Sequence, residues 1–154
     1  MNEIEVIRTQ LRLEAEHALA AARAAAGAEG SVRQACDIYL ECVLGAFAER
    51  ERRLAELIEA RPGAPEPVRR ALAEALGGPG SSTEALGRLR AARAGNGSWG
   101  ELARFLDGDW QRRRGALDAA LAPHRRMADW RTALGLHAEG ILRERELYAR
   151  VARG

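Results

Sequence analysis

Six ionisable residues fall on or beside the apolar stripes that the helical repeat of this chain lays down. The series 4, 7, 11, 14, 18 runs through Ile, Ile, Leu and Ala, with Glu14 among them. The series 43, 47, 50, 54, 57 does the same for Arg50, and 106, 110, 113, 117 for Arg113, with Asp109 one turn ahead of it. In the last segment the series 130, 134, 137, 141, 144, 148 holds both His137 and Glu144. Spacings of three and four put each series on one helix face. A charge buried there without a partner is costly, so these groups should meet one another or water. Glu14 and Arg50 are expected to pair across the first two helices, and Asp109 with His137 across the last two. Such a core network can be plain structural ion pairing, the wall of a pocket for a small ligand, or a metal centre.

The metal chemistry has a recognisable pattern. A carboxylate-bridged two-metal bundle takes a Glu from each of two helices and Glu-x-x-His from each of the other two. Glu14-Ala15-Glu16-His17 is one such element, and there is no second, because Leu121 and Leu134 stand three residues before His124 and His137. If a metal were held, Glu14, His17, Asp109 and His137 would be the ligands. Two arginines in the same stripes oppose a dication and suit an anionic guest or salt bridges better. No metal or other cofactor is expected, and the protein should be colourless.

Other chemistries are quickly bounded. No Gly-x-x-x-x-Gly-Lys phosphate loop is present, and the Gly-rich turns follow helices rather than strands. Cys36 and Cys42 lie on one expected helix about 9 Å apart along its axis and point to different faces, so they cannot pair with each other. Free thiols suit a reducing cytoplasm. Cys36 falls in an apolar stripe; Cys42 is the better candidate for reactivity. All 24 basic residues are Arg, spread along the chain, and the net charge of +2 is too small to imply a polyanionic partner. Arg112-Arg113-Arg114 with Arg125 and Arg126 makes a basic end, but no nucleic-acid motif or aromatic platform accompanies it.

The elements that must position these groups are legible from caps and breakers. Asn2 with Glu5, Ser31 with Gln34, Ser81 with Glu84 and Ser98 with Glu101 carry helix-start spacing. Gly27, Pro62, Gly77-Gly78-Pro79-Gly80 and Gly95-Asn96-Gly97 supply the stops. Long helices are therefore expected over about 3–26, 32–60, 99–122 and 124–152, with shorter ones near 66–76 and 82–94. Asp107-Gly108-Asp109 is a candidate break in the helix over 99–122.

Of the 154 residues, 47% are hydrophobic and 30% charged, with Ala abundant and β-branched residues sparse. The expectation is an all-α fold: one domain over 1–154, four long helices in a bundle, and a helical hairpin over about 63–97 inserted between the second and third. No stretch reaches the roughly 18 apolar residues of a membrane span, and the charged N-terminus is not that of a secretory signal, so a cytoplasmic protein is expected. In the absence of a catalytic constellation, the leading expectation is a non-enzymatic bundle working through protein contacts, as a homo-oligomer or with a protein partner. The nearly pure Ala surface of the first helix beyond Leu19 motivates it. The alternative is a ligand- or metal-binding bundle, such as a redox, gas or small-molecule sensor, that uses the core polar groups.

Overall fold

Helix after helix is set by the same two devices, an apolar stripe at three-four spacing and a glycine or serine at its end. The computed structural model describes residues 3–59, 66–76, 79–121 and 138–153, and every regular element among them is an α-helix. These are α1 (Glu3–Ala26), α2 (Gly30–Glu59), α3 (Glu66–Leu76), α4 (Ser82–Ala94), α5 (Trp99–Asp107), α6 (Asp109–Leu121) and α7 (Ala138–Arg153). None is long and apolar enough to cross a membrane.

Caps account for the starts of α4 and α5, whereas α2 begins at Gly30, so Ser31, expected with Gln34 to start that helix, lies inside it. Ser98 and Glu101 form the reciprocal capping box, each side chain taking the other's backbone N–H. Ser81 caps α4 through the Glu84 amide at 3.1 Å, whereas the Glu84 carboxylate reaches back one residue further, to the Gly80 amide at 2.7 Å. Gly95 closes α4 in the left-handed region, with φ +82, and the Asn96 amide returns to Ala91 O at 2.8 Å. The expected helix over 99–122 is two helices: the chain breaks at Gly108 and restarts at Asp109, whose carboxylate suits a helix N-terminus. Of the expected helix over 124–152, the part from Ala138 is described; His124, Trp130, Leu134 and His137 lie outside the described residues.

Side-chain contacts give the directions. Arg8 meets Asp118 and Arg23 meets Asp107, so α5 and α6 together run antiparallel to α1. Ser82 meets Glu51 at one end of α4 and Arg93 meets Asp37 at the other, so α4 runs antiparallel to α2. Glu144 lies level with Glu14 and Tyr148 with His17, so α7 runs with α1. The short helix α4 is thus a full return strut between α2 and α5, with Ala85, Leu89 and Ala92 in the core. Helix α3 lies along α6, and α4 packs on α2 and α5, because its apolar face matches theirs.

The core is small side chains meeting large ones. Ala15, Ala18, Ala21, Ala22 and Ala25 let α1 approach α2 and α5 closely, where Tyr39, Leu40, Val43, Leu44, Leu102 and Leu106 fill the space. The alanine surface that suggested an external partner is therefore occupied from within. Trp110 is fully buried, which at about 150–250 Å² of ring surface contributes roughly 4–6 kcal/mol of transfer free energy.

Two glycines have opposite roles. Gly80 has φ +94, and a Cβ there would stand 2.8 Å from the Asp109 carbonyl oxygen, whereas a Cβ on Gly115 in α6 meets nothing within 4 Å. Gly80→Ala is therefore expected to cost roughly 1–3 kcal/mol. Gly115→Ala should stabilise by about 0.5–1 kcal/mol through helix propensity. Urea unfolding of both variants checks this, and equal effects would contradict the assignment.

Candidate functional site

Three of the six core ionisable groups converge. Glu14, Arg50 and Glu144, from α1, α2 and α7, are 3%, 8% and 6% exposed. Arg50 Nη1 donates to Glu14 Oε2 at 2.7 Å, and Arg50 Nη2 stands 3.9 Å from Glu144 Oε1. Gln10 Nε2 donates to the other Glu14 oxygen at 3.3 Å. The two carboxyl groups are close enough for one proton to be shared between them. Glu144 Oε2 is buried with no hydrogen-bond partner.

Two carboxyls facing one guanidinium cannot both ionise cheaply in a buried place. Burial and then the hydrogen bond and charge of Glu14 push Glu144 up to about 8, against the pull of Arg50. Burial acts on Glu14 in the same sense, but the hydrogen bond from Glu144 and the charge of Arg50 outweigh it, and Glu14 falls below its usual range. At neutral pH the trio therefore holds one proton, on Glu144. Tyr39, fully buried beside it, is pushed far up by burial and by both carboxyls.

The other expected members lie elsewhere. Arg113 donates to Glu74 O at 2.9 Å and to Pro79 O, tying the end of α3 and the turn before α4 to α6. Asp109 is exposed and pairs with Arg112 at the start of α6. Its expected partner His137 lies outside the described residues. The Glu14-x-x-His17 pair does not converge either: His17 stacks on Tyr148, with centroids 3.9 Å apart, while Glu14 is engaged by Arg50. Burial lowers His17 against the pull of Glu16 and Glu14. Among the described residues no group of three or more His, Cys, Asp or Glu is placed to hold a metal ion. The Cys42 thiol is pushed up by burial and then by Glu144, which disfavours the thiolate that reactivity needs.

Beside the trio, α1, α2 and α6 line a cavity of about 240 Å³ that is open to solvent on one side. Leu11, Phe47, Leu54 and Leu117 give it apolar walls; Arg8, Arg12, Arg50 and Arg114 face Glu51 and Asp118 across it. Arg114 was not among the residues singled out from the sequence as core, nor was Glu51. Burial pulls Arg114 down to about 10 despite Glu51, Glu14 and Asp118 nearby. Its guanidinium lies over Phe47 and Trp110, 4.8 and 5.0 Å from the ring centroids. Both oxygens of Glu51 accept from Ser82, the amide at 3.1 Å and the hydroxyl at 2.9 Å, and Trp110 Nε1 donates to that hydroxyl oxygen at 2.9 Å. Two spacings could have signalled these residues: Phe47-Glu51-Leu54 fits the three-four repeat as well as Phe47-Arg50-Leu54, and Arg114 follows Trp110 by four.

Compared with known protein families, curated proteins and solved structures, the chain matches none of them.

The trio gives stability a definite pH dependence. The value for Glu144 in the folded state lies above 4.5, so the stability it contributes is whole below about pH 4.5 and lost as pH rises through about 8. His17, lowered from 6.5, opposes this fall mainly below about pH 7, and the two thiols, raised from 9.0, add to it mainly above about pH 8. Glu51, raised from 4.5, acts in the same sense as Glu144, so the comparison with a Glu144 variant isolates the part due to Glu144. Between pH 7 and 8 unfolding free energy is expected to fall by about 1 kcal/mol per pH unit. Glu144→Gln should flatten most of that fall, read by urea unfolding at each pH. An unchanged slope in the variant would contradict the assignment of the proton.

Proposed function

We propose that this protein is a small-molecule-binding helical bundle that acts by binding rather than by catalysis, with its ligand held in the cavity between α1, α2 and α6. One observation carries the reading: a concave apolar site is walled by a desolvated guanidinium, Arg114, that has no carboxylate in ion-pair contact among the described residues. Pockets of mainly apolar lining with a few convergent polar groups are the usual form of a ligand site. The reading belongs to the ligand-binding class raised by the sequence. In it, Arg50 and Glu144 work as support for the pocket wall, and α1, α2, α5–α6 and α7 are the four columns of the bundle.

Self-association is a second reading, carried by Val6 and Leu13, exposed seven residues apart on α1, and by exposed Leu142 on α7. Sedimentation velocity tests it; a monomer at about 100 µM, well above the Kd of stable dimers, would refute it.

The binding reading is tested by blocking the cavity without touching its charges. Gly115 lies on the cavity wall with open space at its Cβ position. Gly115→Trp should fold with unchanged or raised stability and abolish binding of indole, a neutral ring of suitable size, in an NMR titration. Indole binding equally to both proteins, or to neither, would overturn the proposal.

A further inference from the structure

We propose that the cavity between α1, α2 and α6 is built for a small organic monocarboxylate, with an apolar body against Leu54 and Leu117 and its carboxylate on Arg114. This deepens the binding reading above and rests on it.

The guanidinium accounts on the cavity wall point there. Arg8 is paired with Asp118 at 2.5 Å, and Arg50 with Glu14 at 2.7 Å. Arg114 has only neutral acceptors, Gln111 Oε1 and Leu11 O, each at 3.3 Å. Glu51, on the same wall, is held by Ser82, which donates to each of its oxygens, and makes no ion pair with Arg114. Arg12, exposed at the mouth, makes no ion pair among the described residues. With Arg8 offset by Asp118 and Arg50 by Glu14, Arg12 and Arg114 are left with Glu51, an excess of one positive charge that disfavours a cationic guest. The protein therefore presents a half-buried cation with no carboxylate in ion-pair contact among the described residues.

Shape narrows the class further. Phe47 and Trp110 hold the planar guanidinium, so its fork is oriented before any ligand arrives. A planar fork matches a carboxylate with two parallel N–H···O bonds. Inorganic phosphate would leave the apolar walls uncovered and carries more charge than one guanidinium offsets. An apolar cavity of about 150 Å³ holds benzene, so one of about 240 Å³ has room for a body on the order of ten non-hydrogen atoms.

The test uses four probes on the full chain at pH 7 and fixed ionic strength: phenylacetate, phenylacetamide, phenethylammonium and inorganic phosphate. Chemical-shift titration to about 10 mM covers the affinities a ligand of this size reaches. Phenylacetate is expected to bind at least about tenfold more tightly than phenylacetamide, the usual ratio for a charge-assisted hydrogen bond, and phenethylammonium and phosphate weakest of all. Arg114→Met, which keeps the stem on its aromatic neighbours, should erase the preference for phenylacetate while indole still binds. Phenylacetamide binding as tightly as phenylacetate, or a preference that survives Arg114→Met in a folded variant, overturns the carboxylate assignment and leaves the cavity reading intact. Failure of indole to bind the wild-type protein overturns the cavity reading and, with it, the carboxylate assignment.

Discussion

Two carboxyl groups and one guanidinium, closed off from water where α1, α2 and α7 meet, constrain much of this molecule. Arg50 can neutralise one carboxylate. The second must keep its proton or stand as a buried charge, and the hydrogen bond between Glu14 and Glu144 is the form that keeps it. Removing Arg50 alone would leave a buried carboxylate uncompensated, the situation in which buried ion pairs are most costly to break. The docking of α7 is tied to the same point, since Glu144, Leu147 and Val151 form its buried face. The stacking of Tyr148 on His17 and its contact with Tyr39 lie one turn further along.

Arg50 also links this trio to the cavity. Its guanidinium lies 5.2 Å from the Phe47 ring centroid, and Arg114 lies 4.8 Å from the same ring. Two cations share one aromatic residue, which itself packs edge-on against Trp110 at 5.1 Å. Their mutual repulsion is offset for Arg50 by Glu14, but for Arg114 only at a distance, by Glu51, Glu14 and Asp118. The asymmetry gives the cavity its positive character. It also means that a charge entering beside Arg114 is felt by the trio through Arg50.

Much of this was legible in the chain, for reasons that differ by element. Helix boundaries followed from caps because Ser81, Ser98, Gly95 and Gly108 act locally, within a few residues of themselves. The pairing of Glu14 with Arg50 followed from periodicity and from counting residues back to the turn between α1 and α2, which is short. Arg113 shows where such counting ends. It sits in the expected stripe, yet it reaches across to Glu74 and Pro79, because which side of an apolar stripe faces which neighbour is decided by tertiary packing. Glu51 and Arg114 were hidden for the same reason: three-residue and four-residue steps are equally allowed, and only α4 and α6 select between them. The role of α4 was also invisible, since Ala85, Leu89 and Ala92 read as an ordinary amphipathic turn until α2 and α5 close on them.

The retained proton is the point on which this account stands or falls, and the most direct measurement is a carbon-13 NMR titration of the glutamate side-chain carboxyls from pH 3 to 10. The account predicts that one carboxyl, identified as Glu144 by its disappearance in Glu144→Gln, stays protonated through neutrality and titrates near 8. Glu14 should titrate below its usual range in the same experiment. Glu144 titrating with the exposed carboxylates near 4.5 would show that water or another cation reaches the trio, and would contradict the account.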